Sequence, residues 1–423
     1  MPNRQSPADL AATLTGVLDA RLAGADADLI RRFPGDGGGQ QPVHTVYVPA
    51  DQAGDTVVAD WGSQARGHLA AHRSLLADLV GALGVESDAI LGLVDAKLAR
   101  EPIEDLRIDL EDGYRGAAED ADARAAARAL ARAQRGGHAP PFHGIRVKSM
   151  EAPTRARGVR TLLLFLDELL GAGGTLDAFV TTVPKVTSVD QVEAVVDLLG
   201  RAEAEWALPE GSLRFEIQIE TPQSVLGPDG TCLVARMIHV GAGRVTGLHY
   251  GTYDYSAACG IAAPYQSMEH PVAEMARLAM QAAAAGTGVR LSDGSTNILP
   301  VGDAAAVRRG WHTQLRLITR SLERGYYQGW DLHPSQLPSR YAATYAFYRR
   351  SAPEVTGRLH RYLHGGEGAV LDEPATARAL ADFVVRGMEA GALRADEIRE
   401  AIKTDPADLV SLARPRKGSD LEA

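Results

Sequence analysis

One repeated order constrains this chain more than any other feature. A short β-rich run ends on polar residues and is followed by a helical pattern, and the unit recurs along most of the length. The runs are His44–Pro49, Asp105–Leu110, Gly144–Lys148, Asp177–Val183, Leu213–Ile219, Val245–Tyr250, Asn297–Pro300 (the weakest) and Tyr326–Asp331. Helical patterns are expected at 64–82, 86–99, 115–135, 155–171, 188–204, 230–238, 269–286 and 303–324, with Ser188 as an N-cap. Eight strands that alternate with helices fit an α/β (β/α)8 barrel, and 423 residues are ample for one. An open doubly wound sheet can show the same alternation, so periodicity favours the barrel without excluding the sheet.

The ends read differently. Residues 7–33 form one or two amphipathic helices and stop at the glycine-rich Gly35–Gly39, so 1–43 is an N-terminal helical extension. The barrel domain spans 44–340. The remainder, 341–423, is helical at 340–351, 373–391 and 395–413, interrupted at Pro353 and Pro374. It reads as a C-terminal helical cap or lid over the barrel rim or a neighbouring subunit's rim.

Composition narrows the function. The net charge of −10 argues against nucleic acid or an anionic membrane as a partner. Two distant cysteines, Cys232 and Cys259, exclude a disulfide scaffold and a cysteine zinc site. The first residues lack an apolar signal core, and no run nears the ~18 apolar residues of a membrane span. A cytoplasmic location is expected. Several motifs are decoys. Gly241, Gly243 and Gly247 have the wrong spacing for a dinucleotide fingerprint and precede a strand, and the Gly35–Gly39 run lacks the Lys of a phosphate loop.

The informative residues stand at strand ends, which form one rim in a barrel. They are Asp109, Glu111 and Asp112 after strand two, Arg146 and Lys148 in strand three, Lys185 after strand four, Glu220 after strand five, Asp254 after strand six and His333 after strand eight. Carboxylates and cations converging there suit a hard divalent cation with an anionic substrate. Arg146, inside an apolar strand, needs a carboxylate or phosphate partner for its planar fork. Glu220 ends a buried strand, where its charge calls for a cation, and metal ligation by Glu220 with Asp254 is favoured over a salt bridge. Lys185 has an equally good reading as the structural partner of a nearby carboxylate. For His333 a hydrogen bond that fixes the turn after strand eight is the favoured role.

Seven segments at these positions, VYVPA (46–50), RIDLEDGY (107–114), IRVKS (145–149), VPKVTSVDQVEAV (183–195), IQIETPQSVLG (217–227), YGTYDYSAACGI (250–261) and DLHPSQ (331–336), occur in one order. Together they resemble the citrate lyase β-subunit / HpcH–HpaI aldolase family of phosphoenolpyruvate/pyruvate-binding TIM barrels. The stretch 247–256 also resembles malate synthases. The resemblance implies Mg²⁺, with Mn²⁺ as the alternative, held by Glu220 and Asp254. It implies that Arg146 binds the oxygens of a 2-keto acid or its enolate, and that Asp109, Glu111 and Asp112 lie beside the metal. Arg146, Glu111 and Asp112 are then the catalytic candidates, and Arg146, Asp109 and Lys185 the substrate-binding ones. No catalytic base maps cleanly. Lys148–Ser149, the extra helical segment between strands one and two, and Pro222 depart from the family pattern.

The expected function is a Mg²⁺-dependent carbon–carbon lyase that cleaves a hydroxy acid or its coenzyme A thioester through an enolate. Two alternatives are a malate-synthase-like condensation of an acyl-CoA with a 2-keto acid and a non-catalytic barrel subunit. The resemblance also implies a homo-oligomer.

Overall fold

In the computed structural model, which describes residues 5–365 and 372–415, eight parallel strands form a nearly closed barrel. The strands are β1 (His44–Pro49), β2 (Asp105–Asp109), β3 (Phe142–Arg146), β4 (Phe179–Val183), β5 (Arg214–Ile219), β6 (Val245–Tyr250), β7 (Arg290–Ser292) and β8 (Gly329–Asp331). Neighbours in sequence pair from β1 to β7, β8 pairs with β1, and a single parallel bridge between Ser292 and Gln328 joins the last gap. The architecture is a (β/α)8 TIM barrel with helical extensions.

Helix α1 (Pro7–Arg32) precedes the barrel, capped by Ser6, with none of its residues buried. Between β1 and β2 lie α2 (Val57–Ala71), α3 (Arg73–Gly81) and α4 (Ser87–Arg100). The single helix expected over 64–82 is thus two helices, broken at His72, whose φ of −129° is not helical. After β2 comes α5 (Glu119–Arg135), after β3 α6 (Arg155–Gly171), and after β4 α7 (Val189–Glu205). Ser188 caps α7 by accepting the Gln191 N–H, as its sequence position suggests. The β5–β6 connection holds the short α8 (Pro222–Val225) and α9 (Leu233–Val240). Helices α10 (Thr252–Ala258) and α11 (Pro271–Ala284) follow β6, and α12 (Ala304–Glu323) follows β7.

Two expectations need correction here. Strand seven is Arg290–Ser292, not 297–300. Pro300 has no N–H for a ladder, and it lies against α12 where Gly310 has no side chain: a Cβ on Gly310 would meet Pro300 Cα at 2.6 Å. Strand three closes at Arg146, so Lys148 lies beyond the strand.

The tail also differs. Helix α13 (Leu337–His364) runs unbroken across residue 340 and through Pro353. Pro353 is on the exposed side, where water can satisfy the carbonyl that the ring leaves unbonded. Helices α14 (Pro374–Glu389), α15 (Ala395–Ile402) and α16 (Pro406–Ala413) complete the described chain. Gln40 Nε2 donates to Glu389 O (3.1 Å) and Arg386 Nη1 to Gln41 Oε1 (3.0 Å), which ties α14 to the segment entering the N-terminal end of β1. The parts of the expected end regions at 1–4, 366–371 and 416–423 lie outside the described residues. Among the described residues no helix is long and apolar enough to cross a membrane.

Below the rim the barrel is filled by a polar layer. Two-residue periodicity turns Asp105, Arg107 and Asp109 of β2 to one side, and Glu216, Gln218 and Glu220 of β5 likewise. Arg107 Nε and Nη2 both donate to Glu216 at 2.9 Å, and Arg107 also bonds Thr182 and Asp105. His249 Nε2 stands 2.8 Å from Glu216, and Trp330 Nε1 donates to His249 Nδ1. Burial opposes the Glu216 charge, yet Arg107 and His249 hold its carboxyl well below the usual range. Because each charge has a partner, the layer is tolerable in a dry interior.

Candidate active site

The rim is built from the polar ends of β2 to β6. Arg146 donates from Nε and Nη2 to the two oxygens of Asp109, both at 2.7 Å, in a bidentate pair across adjacent strands. Its guanidinium also lies 4.6 Å from the centroid of the Tyr47 ring. Burial works against the Arg146 charge, but Asp109 more than compensates, so the group stays ionised. The remaining nitrogen, Nη1, makes only a 3.6 Å approach to Glu111.

Asp109 is saturated. Besides Arg146 it accepts the backbone N–H groups of Glu111 and Gly113, each at 2.9 Å. Gly113 is required there, since a Cβ would meet Asp109 Oδ2 at 2.5 Å. In this arrangement Asp109 aims Arg146 and shapes the turn that carries Glu111 and Asp112, and it has little capacity left for a ligand.

Lys185 has a left-handed backbone (φ 51°) just after β4. Its N–H donates to Glu220 Oε1 (2.7 Å), and its Nζ reaches Glu111 Oε1 (2.5 Å) and Asp112 Oδ2 (2.7 Å). One residue thus links the β2 and β5 carboxylates. Burial lifts the Glu111 carboxyl above its usual value. Burial acts the same way on Asp112, but the hydrogen bond and charge of Lys185, with Glu111 and Arg146, together outweigh it and keep that carboxyl low.

Glu220 is 2% exposed at the end of β5. Burial first, and then the Asp254 charge, push its carboxyl up to about 7. Among the described residues no Lys or Arg side chain forms an ion pair with it. Space for it comes from Gly251, where a Cβ would meet Glu220 Cβ at 2.5 Å and Oε2 at 2.8 Å. Asp254 is exposed in the first turn of α10. Oxygen donors in this setting suit a hard divalent cation that neutralises the uncompensated charge. Among the described residues no group of three or more His, Cys, Asp or Glu gathers as a metal cage, so two carboxylates would leave most positions to water and substrate.

The fold therefore brings Asp109, Glu111, Asp112, Arg146, Lys185 and Glu220 into one bonded cluster, with Asp254 near enough for its charge to raise Glu220. His333 is not part of it: its Nδ1 accepts the Ser335 N–H and shapes the turn after β8. Tyr47 and Gln218 were not singled out by sequence reasoning. Gln218 Nε2 donates to Tyr47 OH (3.4 Å), while Gln218 Oε1 is buried without a partner. The signal was present, because Gln218 shares a face with Glu220 and Tyr47 with Pro49.

A family model described as a domain of unknown function, DUF6986, matches residues 22–417. No curated protein sequence matches the chain. Among solved structures, a citrate lyase from Burkholderia xenovorans is 17% identical, with a TM-score of 0.53 and coverage of 86% of this chain and 97% of that one. A Haloferax volcanii malate synthase, solved as a magnesium/glyoxylate complex, is 16% identical, with a TM-score of 0.51 and coverage of 88% and 97%. These likenesses concern the fold, and they fall in the two groups that the sequence motifs resemble.

Proposed function

The chain belongs to the DUF6986 family, and on that footing we propose that it is a Mg²⁺-dependent carbon–carbon lyase acting on a hydroxy acid or its coenzyme A thioester through an enolate. The observation that carries this reading is Glu220, a buried carboxylate raised by the charge of a second carboxylate and without a side-chain ion pair among the described residues. Glu220 and Asp254 would hold the metal. When bound, a divalent cation supplies Lewis-acid stabilisation to the charge that develops as the carbon–carbon bond breaks.

The chain's own groups do the rest. Arg146, locked by Asp109 and resting on Tyr47, presents Nη1 as a fixed positive edge for the oxygens of a 2-keto acid. Its orientation is set before substrate arrives, so little reorganisation is needed. Glu111, raised by burial and held by Lys185 Nζ, stands beside Arg146 Nη1, where a carboxyl can exchange a proton with a bound substrate. Asp112, kept ionised, shares the Lys185 ammonium and fixes its position.

The malate synthase likeness favours a second reading, in which the same site condenses an acyl-CoA with a 2-keto acid. Isotope exchange separates the two. If the bound keto acid is enolised, pyruvate with enzyme and Mg²⁺ in D2O loses its methyl proton signal with no second substrate. If the keto acid is only the electrophile, deuterium enters the acyl group of a CoA thioester. Absence of both exchanges across a panel of substrates, with Mg²⁺ shown bound by calorimetry, overturns the enzymatic reading.

A further inference from the structure

A large cavity of the protein lies away from the carboxylate rim. It opens at the opposite, N-terminal mouth of the barrel, has a volume of about 1270 Å³, and lies between the barrel floor and the segment that follows α1. Ligand pockets commonly measure about 300–1,000 Å³, so this space has room for a metabolite of nucleotide size.

Its wall contains an arginine unlike the others. The buried arginines each have a carboxylate: Arg107 has Glu216, Arg146 has Asp109, Arg244 has Glu203, Arg277 has Asp293 and Arg340 has Asp331. Arg290 is half-buried at the start of β7, and its side chain has no ion pair and no hydrogen bond among the described residues. Its one aromatic contact is the Phe142 ring, 5.4 Å from the guanidinium. Burial pulls its pKa below the usual arginine value. An unpaired guanidinium held away from bulk water is costly, and an anion relieves that cost.

The surroundings supply more donors than acceptors. Arg214, exposed at the start of β5, also lines the cavity and has no ion pair. The nearby carboxylates are engaged: Asp36 with Arg386, and Asp105 and Glu216 with Arg107. Among the described residues only Asp177, at the exposed lip, is a lining carboxylate without a cation. The glycine run approaches the guanidinium closely, because a Cβ on Gly39 would stand 3.2 Å from Arg290 Nη2. The N–H groups of Gly37 and Gly39 donate no hydrogen bond among the described residues, which leaves them for a ligand.

We propose that this N-terminal cavity binds a small anionic metabolite, whose phosphate or carboxylate group is held by Arg290, with Arg214 and the Gly35–Gly39 segment completing the wall. The site is separate from the rim and does not depend on the reaction proposed there.

Calorimetry on the full chain at low ionic strength tests it, with inorganic phosphate, pyrophosphate and succinate as probes. At least one probe is expected to bind saturably. Arg290→Gln should weaken that binding ~10-fold or more, the scale of a lost charged hydrogen bond, and Arg214→Gln less. Glu220→Gln should leave it unchanged. Preference for pyrophosphate over succinate, or the reverse, identifies the oxyanion. Without any probe, Arg290→Gln should melt close to wild type, since its side chain gives up only the contact with Phe142 and no ion pair or hydrogen bond. The proposal is overturned if no probe binds saturably, if both arginine variants bind like wild type, or if Glu220→Gln abolishes binding. A clearly lower melting temperature for Arg290→Gln alone would also overturn it. Should that variant fail to fold, the exposed Arg214→Gln decides the matter: unchanged affinity rules the site out.

Discussion

Removing the charge of Glu220 should stabilise the metal-free protein while it destroys metal binding. The folded-state carboxyl is raised to about 7 from a reference of 4.5, chiefly by burial. The unfolded chain therefore releases its proton first, and stability falls as pH rises from about 4.5 to about 7. A shift of this size corresponds to about 3 kcal/mol. Gln cannot ionise, and its carbonyl still accepts the Lys185 N–H that Glu220 accepts at 2.7 Å. In EDTA at pH 8, Glu220→Gln should thus be more stable than wild type by about 3 kcal/mol, with the difference vanishing near pH 4. Urea unfolding monitored between pH 4 and pH 8 reads this directly. Added Mg²⁺ should raise the wild-type midpoint at pH 8 and leave the variant's in place. A variant that is less stable at pH 8, or a difference that ignores pH, refutes the claim that Glu220 carries an uncompensated charge.

Other outcomes follow from the same contacts. Arg146→Lys should lower kcat/KM by ~100-fold or more, because an ammonium cannot reproduce the paired bonds to Asp109; activity within about threefold of wild type makes the arginine structural. Gly251→Ala should displace Glu220 and weaken Mg²⁺ affinity with little loss of helical circular dichroism, which titration calorimetry measures. Arg107→Met should cost about 3–5 kcal/mol in urea unfolding, since it strands the buried Glu216 charge. Glu203, drawn down to about 2 mainly by its hydrogen bond from Arg244, contributes stability that is present above about pH 4.5. That contribution should fade as pH falls toward 2, and Glu203→Gln should flatten this part of the acid unfolding profile by about 3 kcal/mol.

Local chemistry made much of the molecule legible in advance. Short apolar runs ending on polar residues mark seven of the eight strands, and the two-residue period sets which residues share a face, as with Arg107 and Asp109 or Glu216 and Glu220. A strand end followed by a carboxylate is a local pattern, so the candidate rim could be written down before any packing was known. Strand seven escaped because Arg290–Ser292 is only three residues long, while the more apolar 297–300 run is held by Gly310 of α12 rather than by a neighbouring strand.

Partner choice was beyond the sequence. Asp109 meets Arg146 across 37 positions, and Lys185 joins Glu111 and Glu220 from different strands. Those meetings turn Asp109 from a ligand candidate into the group that aims Arg146. The tail shows the same limit: its helices were readable, but bonds from Gln40 to Glu389 and from Arg386 to Gln41 put α14 beside the segment entering β1. A residue's type and face are local properties of the chain. Its burial, its counter-charge and therefore its protonation depend on atoms far away in sequence, and only the closed barrel brings those atoms together.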